Sequence, residues 1–458
     1  MNPDSTRRKD ILRAALMGSA LGRPVTNLKE GHVLQVWGAP PEGFHPTGVL
    51  FPEKPDRNTL PGLHGMAGQE LLAALLASHP DSLGRTPVAF AGVALLELAG
   101  GAEGEGTGLL RAPGRPLRRA IEGWRETYPW EEPDWFAETE ISEGLGPALR
   151  GIVPVVMEWD EPLEAAGRLA RLTHARLLSQ SAAIAAGLAV EELLAAHPKR
   201  RPADIAASIR DRLEPLEDAI RREQHRAWRE TGWDPRPRGL VEALAPLPSL
   251  LREGREDLAR STIVRTAEEY NPAHRVAHVQ HGFPPAGLAW VLWLALSDAP
   301  PRRAMEGLMA RGGEAEVLGG LLAALCVARH GPECFPEEWY AGTLGLETLG
   351  EAAAGNLSVE EWITREAAWN SREETMRAPL REAVEKNREL AAAKKKPAKP
   401  KPPAADTHDQ PEVPFPPPPH LWLSPEEAED PRKKKILKAA RGRKKIEWKE
   451  ERKKKRGR

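Results

Sequence analysis

The sequence predicts an all-α protein: one large helical domain over residues 1–390, then a Pro/Lys-rich disordered tail over 391–458. Three observations carry that reading. Apolar residues recur at helical spacing through most of the first 390 positions. No stretch alternates apolar and polar residues with β-branched enrichment, so a sheet has no support. From residue 394 onward prolines and lysines take over, and such a segment cannot bury enough apolar area to offset chain entropy.

The elements follow in order. Ile11, Leu12, Ala15, Leu16 and Ala20 mark a first helix over 6–22, ended by Gly22 and Pro24. Residues 31–64, rich in Gly and Pro, read as a long loop. Residues 66–79 form an apolar helix suited to a core, and another apolar segment spans 87–100 before a Gly-rich break at 100–108. Helical patterns recur at 115–126, 162–180, 181–196 and 203–229. A Pro-rich, Trp-bearing connection covers 230–250. Helices resume at 251–269, 285–298, 301–311 and 316–330, and a charged helical segment runs over 357–394. No repeat of fixed period is present.

Composition narrows the class. Hydrophobic residues are 41% and charged residues 29%, as in ordinary soluble globular chains. The net charge of −1 conceals an asymmetry: residues 391–458 hold 21 Lys+Arg against 10 Asp+Glu, which leaves an acidic body. Cys326 and Cys334 are too few for a disulfide framework and lie at no redox or zinc spacing. A reducing, cytoplasmic location is therefore expected. No apolar run reads as long enough to span a bilayer. Arg7-Arg8-Lys9 followed by Ile11 to Gly22 imitates a signal peptide, but Arg13 interrupts it and no clean small-residue cleavage site follows.

Five segments stand out in order. The first is Ala15-Leu16-Met17-Gly18-Ser19-Ala20-Leu21-Gly22. The second is Pro61-Gly62 running into Gln69 and the helix after it. The third runs from Ser142-x-Gly144-x-Gly146 through Arg150 to Pro154, and the fourth is Leu172-Thr173-His174. The fifth runs from Gly282-Phe283 through Leu288, Leu292 and Trp293 to Gly312-Gly313-Glu314-Ala315-Glu316. It continues through Ala323-Ala324 to His330-Gly331 and Pro336-x-x-Trp339. Together these resemble the ADP-ribosylglycohydrolase family. The family's opening Leu-x-Gly-x-x-x-Gly-Asp-Ala-Leu-Gly places Ser19 at its aspartate. Its Trp-Thr-Asp-Asp-Thr-Gln falls on the second segment, its Gly-x-Gly-x-x-Met-Arg-x-x-Pro loop on the third and its Leu-Thr-His on the fourth. Its Gly-Gly-Asp-Thr-Asp-Thr falls on residues 312–317.

The resemblance implies an orthogonal helical domain that cleaves the bond joining ADP-ribose to a side chain or other acceptor. The reacting carbon is anomeric, so oxocarbenium-like charge develops in the transition state. In the family two Mg²⁺ ions orient the ribose and activate water, held by hard oxygen ligands. Here the Thr-Asp-Asp positions read Gly65, Met66 and Ala67, none with a side-chain oxygen. The Asp-x-Asp-Thr positions read Glu314, Ala315, Glu316 and Val317. The two carboxylates are each longer by a methylene, a displacement of about 1 Å that is costly in catalysis. With waters, Glu314 and Glu316 suit one weakly held Mg²⁺ and not a two-metal cage, so no catalytic residue is assigned. Both also suit a plain helix start, where the backbone dipole favours acidic side chains. Ser142, Gly144 and Gly146 are either a backbone cradle for the pyrophosphate of ADP-ribose or a turn between helices. His174 is a phosphate or ribose contact, or part of a cap. Phe283 is an adenine stack, or a core aromatic.

His274, His278 and His281 fall at i, i+4 and i+7, one helix face if that stretch is helical, and three histidines suit zinc. Pro272 and Pro284 leave room for little more than two turns. The tail's charge would draw nucleic acid or another polyanion in a salt-dependent way, or act only as a tether. The functional expectation is an ADP-ribosylglycohydrolase-like protein that binds ADP-ribose, a related nucleotide or an ADP-ribosylated substrate, with weak or absent hydrolysis. Against it stand an active hydrolase with altered metal use and a helical scaffold whose tail binds a polyanion. No membrane partner is expected.

Overall fold

The computed structural model describes residues 3–38, 41–45, 47–79, 84–127, 143–197, 199–231, 239–270 and 276–394. The chain divides into two units, Met1–Leu390 and Ala391–Arg458, and the second lies almost wholly outside the described residues. Among the described residues every regular element is helical; the one backbone bridge joins Lys29 to Gly312.

The predicted first helix is α1 (Pro3–Gly22). The expected loop at 31–64 is not all loop: Glu30–Trp37 forms α2, which buries Val33 and ends at the left-handed Gly38, φ 77°. The turn-forming residues that follow masked this short run. The two apolar segments become α3 (Met66–Leu76) and α4 (Pro87–Leu98). In α4 Pro87 opens the helix and the Thr86 hydroxyl accepts the Ala89 N–H. Next come α5 (Arg115–Thr127) and the short α6 (Val153–Val156). The patterns at 162–180 and 181–196 resolve into α7 (Pro162–Arg171) and α8 (Leu177–Ala195), with the break at Thr173-His174, earlier than expected. Then follows α9 (Pro202–Thr231).

The expected connection at 230–250 contains α10 (Leu240–Leu244) and carries the start of α11 (Leu247–Glu253). Close to their expected spans lie α12 (Glu256–Tyr270), α13 (Pro284–Leu296), α14 (Pro301–Arg311) and α15 (Ala315–His330). Two short helices, α16 (Glu337–Ala341) and α17 (Leu346–Ala353), had too little periodicity to be read. The charged segment is α18 (Val359–Lys394).

Helices that are apolar all round belong inside. Every residue of α13 is buried, and Trp290 stacks on Trp293 at 5.2 Å between ring centroids. Contrary to expectation, α8 does reach a membrane-spanning length and hydropathy, yet 89% of it is buried among other helices. The most extensive packing in the chain joins α1 to α15. Glycines allow it: a methyl at Gly18 would sit 2.6 Å from the Gly319 carbonyl carbon, and one at Gly22 would sit 2.8 Å from the Glu316 nitrogen. This close approach fixes the start of α15 against the end of α1. It thereby sets where Glu316 and Arg23 stand.

Candidate functional site

A helix start leaves backbone N–H groups without partners. The first residue before α3 is Gly65, which has no side chain to cap it. The cap comes from another helix: Glu316 Oε1 accepts the Ala67 N–H at 2.7 Å. The start of α15 is capped from outside too, since the Glu316 N–H donates to Thr26 Oγ1 at 2.8 Å. A methyl at Gly65 would lie within 2.7 Å of three atoms of the Glu316 carboxyl. The missing Cβ at 65 and the extra methylene at 316 are therefore complementary. Burial pushes the Glu316 carboxyl up to about 7; nearby Glu314 and Glu70 add to this, while Arg23 and the Ala67 N–H oppose it.

Glu316 and Gly65 face a cleft of about 480 Å³ whose walls also hold Arg23, Arg57, Arg111 and Arg377. Helix α18 supplies the counter-charges. Glu373 bridges Arg23 at 2.9 Å and Arg377 at 3.1 Å, and also accepts the Leu60 N–H at 2.8 Å. Deeper, Glu366 pairs with Arg111 at 2.6 Å and accepts from Gln69 Nε2 at 2.6 Å and from His64 Nε2 at 3.2 Å. Burial alone would raise the Glu366 carboxyl, but these donors hold it at about 2, fully ionised. Burial lowers the His64 ring below its ordinary value, while the Glu366 carboxylate beside it pulls the other way.

The sequence-predicted residues split into two groups. Glu314 does not line the cleft and lies against Gly282, where a methyl would meet its Cγ at 3.1 Å. Burial raises the Glu314 carboxyl as well. The Leu145 N–H donates to Gly282 O at 2.7 Å, which seats Gly144 and Gly146 beside Glu314, and Ser179 Oγ donates to Gly144 O at 2.8 Å. Gly146 adjoins His174: a methyl there would touch Cε1 at 3.5 Å. Arg150 donates to Thr173 Oγ1 at 2.6 Å, and the same oxygen lies within hydrogen-bond distance of His174 Nδ1, 2.7 Å away. Burial, then the Arg150 charge, lower the ring to about 3, and it stays neutral. Arg150 also pairs with Glu70 at 2.8 Å, which ties this group to α3.

Phe283 is half-buried and packs on Ala267, Val276 and Ala286. Neither it nor Gly144, Gly146 or His174 lines the cleft with Glu316. Ser142 and His274 lie outside the described residues. His278 and His281, 6.2 Å apart by ring centroid, stand in an irregular segment and not on a helix face. Among the described residues no three His, Cys, Asp or Glu side chains group as a metal site. Sequence reading missed Arg23, Arg111, Glu366, Glu373 and Arg377. Only Arg23 adjoined a quoted motif, and nothing local marked the residues of α18.

The sequence profile of the ADP-ribosylglycohydrolase family matches residues 4–368. The chain belongs to that family. No curated protein matches it. Among solved structures 46 chains match. One, described as an ADP-ribosylglycohydrolase-related protein complex, is 21% identical, covers 78% of this chain and 98% of its own, and has a TM-score of 0.48.

ADP-ribosylglycohydrolases are generally metal-dependent, and the donors of this member can be tested against that need. Residues 65–67 offer no side-chain oxygen. Glu316 already commits one oxygen to the Ala67 N–H, and Glu70 is tied to Arg150. Glu314 lies against Gly282 and is not among the residues that line the cleft. The donor set does not fit a two-metal cage.

Proposed function

We propose that this member of the ADP-ribosylglycohydrolase family binds ADP-ribose or a related nucleotide in the arginine-lined cleft and hydrolyses its glycosidic bond weakly or not at all. One observation carries the reading. At the meeting of the two helix starts where the resemblance places the metal ligands, the Glu316 carboxyl caps α3 and no oxygen faces it from Gly65 or Ala67. The binding half is supported by four guanidinium groups around a nucleotide-sized cleft. In this reading a ribose or phosphate extending past α15 meets Gly144, Gly146 and His174. The single weakly held Mg²⁺ that residue types suggest for Glu314 and Glu316 is not needed in this reading, because only Glu316 lines the cleft and one of its oxygens already caps α3. A cytoplasmic setting and a tail that engages a polyanion complete it.

Calorimetry with ADP-ribose, with and without Mg²⁺, tests the reading. Saturable binding is expected, and its absence in both buffers ends the proposal. A second reading, an active hydrolase, is favoured by the Glu316 carboxyl near 7, the range in which a general acid works. Release of ADP-ribose from a modified protein, abolished by Glu314→Gln or Glu316→Gln, would establish that reading instead.

A further inference from the structure

We propose that Arg23 supplies, as a guanidinium fixed to the chain, the positive charge that the family takes from metal, and that the cleft grips a phosphate-class anion without a divalent ion. The packing of α1 on α15 sets Arg23 and Glu316 into one wall, beside Gly65. Arg23 is held there by two contacts. Its Nη1 donates to Leu63 O at 3.3 Å, and its Nη2 pairs with Glu373 at 2.9 Å; the Arg23 side chain is 9% exposed. A cation anchored in that wall repels a second one, so the same feature that completes the charge discourages a dication.

Three observations point to an anion as the ligand. Arg23 and Arg377 share the carboxylate of Glu373, and the other two carboxylates that act on Arg377, those of Asp56 and Glu374, are both paired with Arg381. Arg57 lies over the Phe51 ring and has no carboxylate partner among the described residues. The Thr59 hydroxyl is buried in the same wall and has no hydrogen-bond partner. Guanidinium forks match phosphate oxygens in pairs, and a free hydroxyl adds a donor. The inference shares its cleft with the nucleotide reading but requires only the phosphate part of such a ligand.

The full chain is titrated with inorganic pyrophosphate in EDTA by calorimetry, and separately, metal-free, with Mn²⁺ followed by its paramagnetic signal. Saturable pyrophosphate binding and no saturable Mn²⁺ binding are expected. Arg23→Gln weakens pyrophosphate by about tenfold or more, the loss of a charged hydrogen-bond donor, and Arg23→Lys by less. Because Arg23→Gln strips Glu373 of a partner, an Arg23→Gln/Glu373→Gln double variant removes the pair together and should show the same loss with a cooperative unfolding transition. Saturable Mn²⁺ binding that disappears in Glu316→Gln, pyrophosphate binding that needs a metal, or equal binding by the Arg23 variants would overturn the proposal. ADP-ribose in the same EDTA buffer separates the two readings. Pyrophosphate bound without ADP-ribose upholds the arginine site and ends the nucleotide reading.

Discussion

Replacing Gly65 with alanine tests the complementarity between positions 65 and 316. The backbone at Gly65 has φ −101°, so alanine meets no left-handed strain there. Its methyl does meet the Glu316 carboxyl, within 2.7 Å of three atoms. The carboxyl is the end of a flexible side chain and can swing into the cleft, but doing so breaks its bond to the Ala67 N–H. Losing a helix cap of that kind costs about 1–2 kcal/mol. The change from Gly to Ala, taken alone, returns about 0.4–1 kcal/mol by narrowing the unfolded ensemble. Gly65→Ala should therefore destabilise the wild type by about 1 kcal/mol. In a Glu316→Asp background, where the shorter side chain leaves the space open, it should be neutral or slightly stabilising. Urea unfolding of the four proteins gives the coupling energy, expected at about 1–2 kcal/mol. A Gly65→Ala cost that is the same in both backgrounds would show that the two positions do not share this space.

Two further outcomes follow from the same geometry. Glu316 is a carboxyl raised from 4.5 to about 7 in the folded protein, so folding favours its protonated form. Its contribution is fully present below pH 4.5 and is lost as pH rises through about 7. At about 1.4 kcal/mol per tenfold change in acidity this is at most about 3 kcal/mol, less whatever the open cleft screens. Glu316→Gln should flatten that part of the pH profile, and parallel profiles for the two proteins would count against the burial of the carboxyl. Arg150→Met leaves Glu70 unpaired inside the protein and should cost about 3–5 kcal/mol by chemical denaturation. The Arg150→Met/Glu70→Gln pair should recover a good part of it, and no recovery would mean that the ion pair is not what Arg150 contributes.

Much of the site's chemistry could be seen in residue types alone. The absence of oxygen at Gly65, Met66 and Ala67 and the lengthened pair Glu314 and Glu316 were plain from the motif spacing, and the structure does bring residue 316 against residues 65 and 67. Residues two apart at a helix start diverge, however, and Glu314 serves the wall with Gly144 and His174 while Glu316 serves the cleft. The i, i+2 spacing suggests one ligand pair, because sequence gives the order of side chains but not the direction in which a helix start is turned.

By itself, the sequence determined the helices whose apolar period is long and regular, such as α13 and α15, because that period is a local property of a few consecutive turns. It also determined which ligand atoms are missing, because that depends only on residue identity. The tertiary structure alone decided what replaces them. Arg23 meets Glu373 across 350 residues of chain, and His64 meets Glu366 across 302. Such pairs exist only once α1, α15 and α18 have packed, since burying a charge is tolerable only where packing delivers its partner.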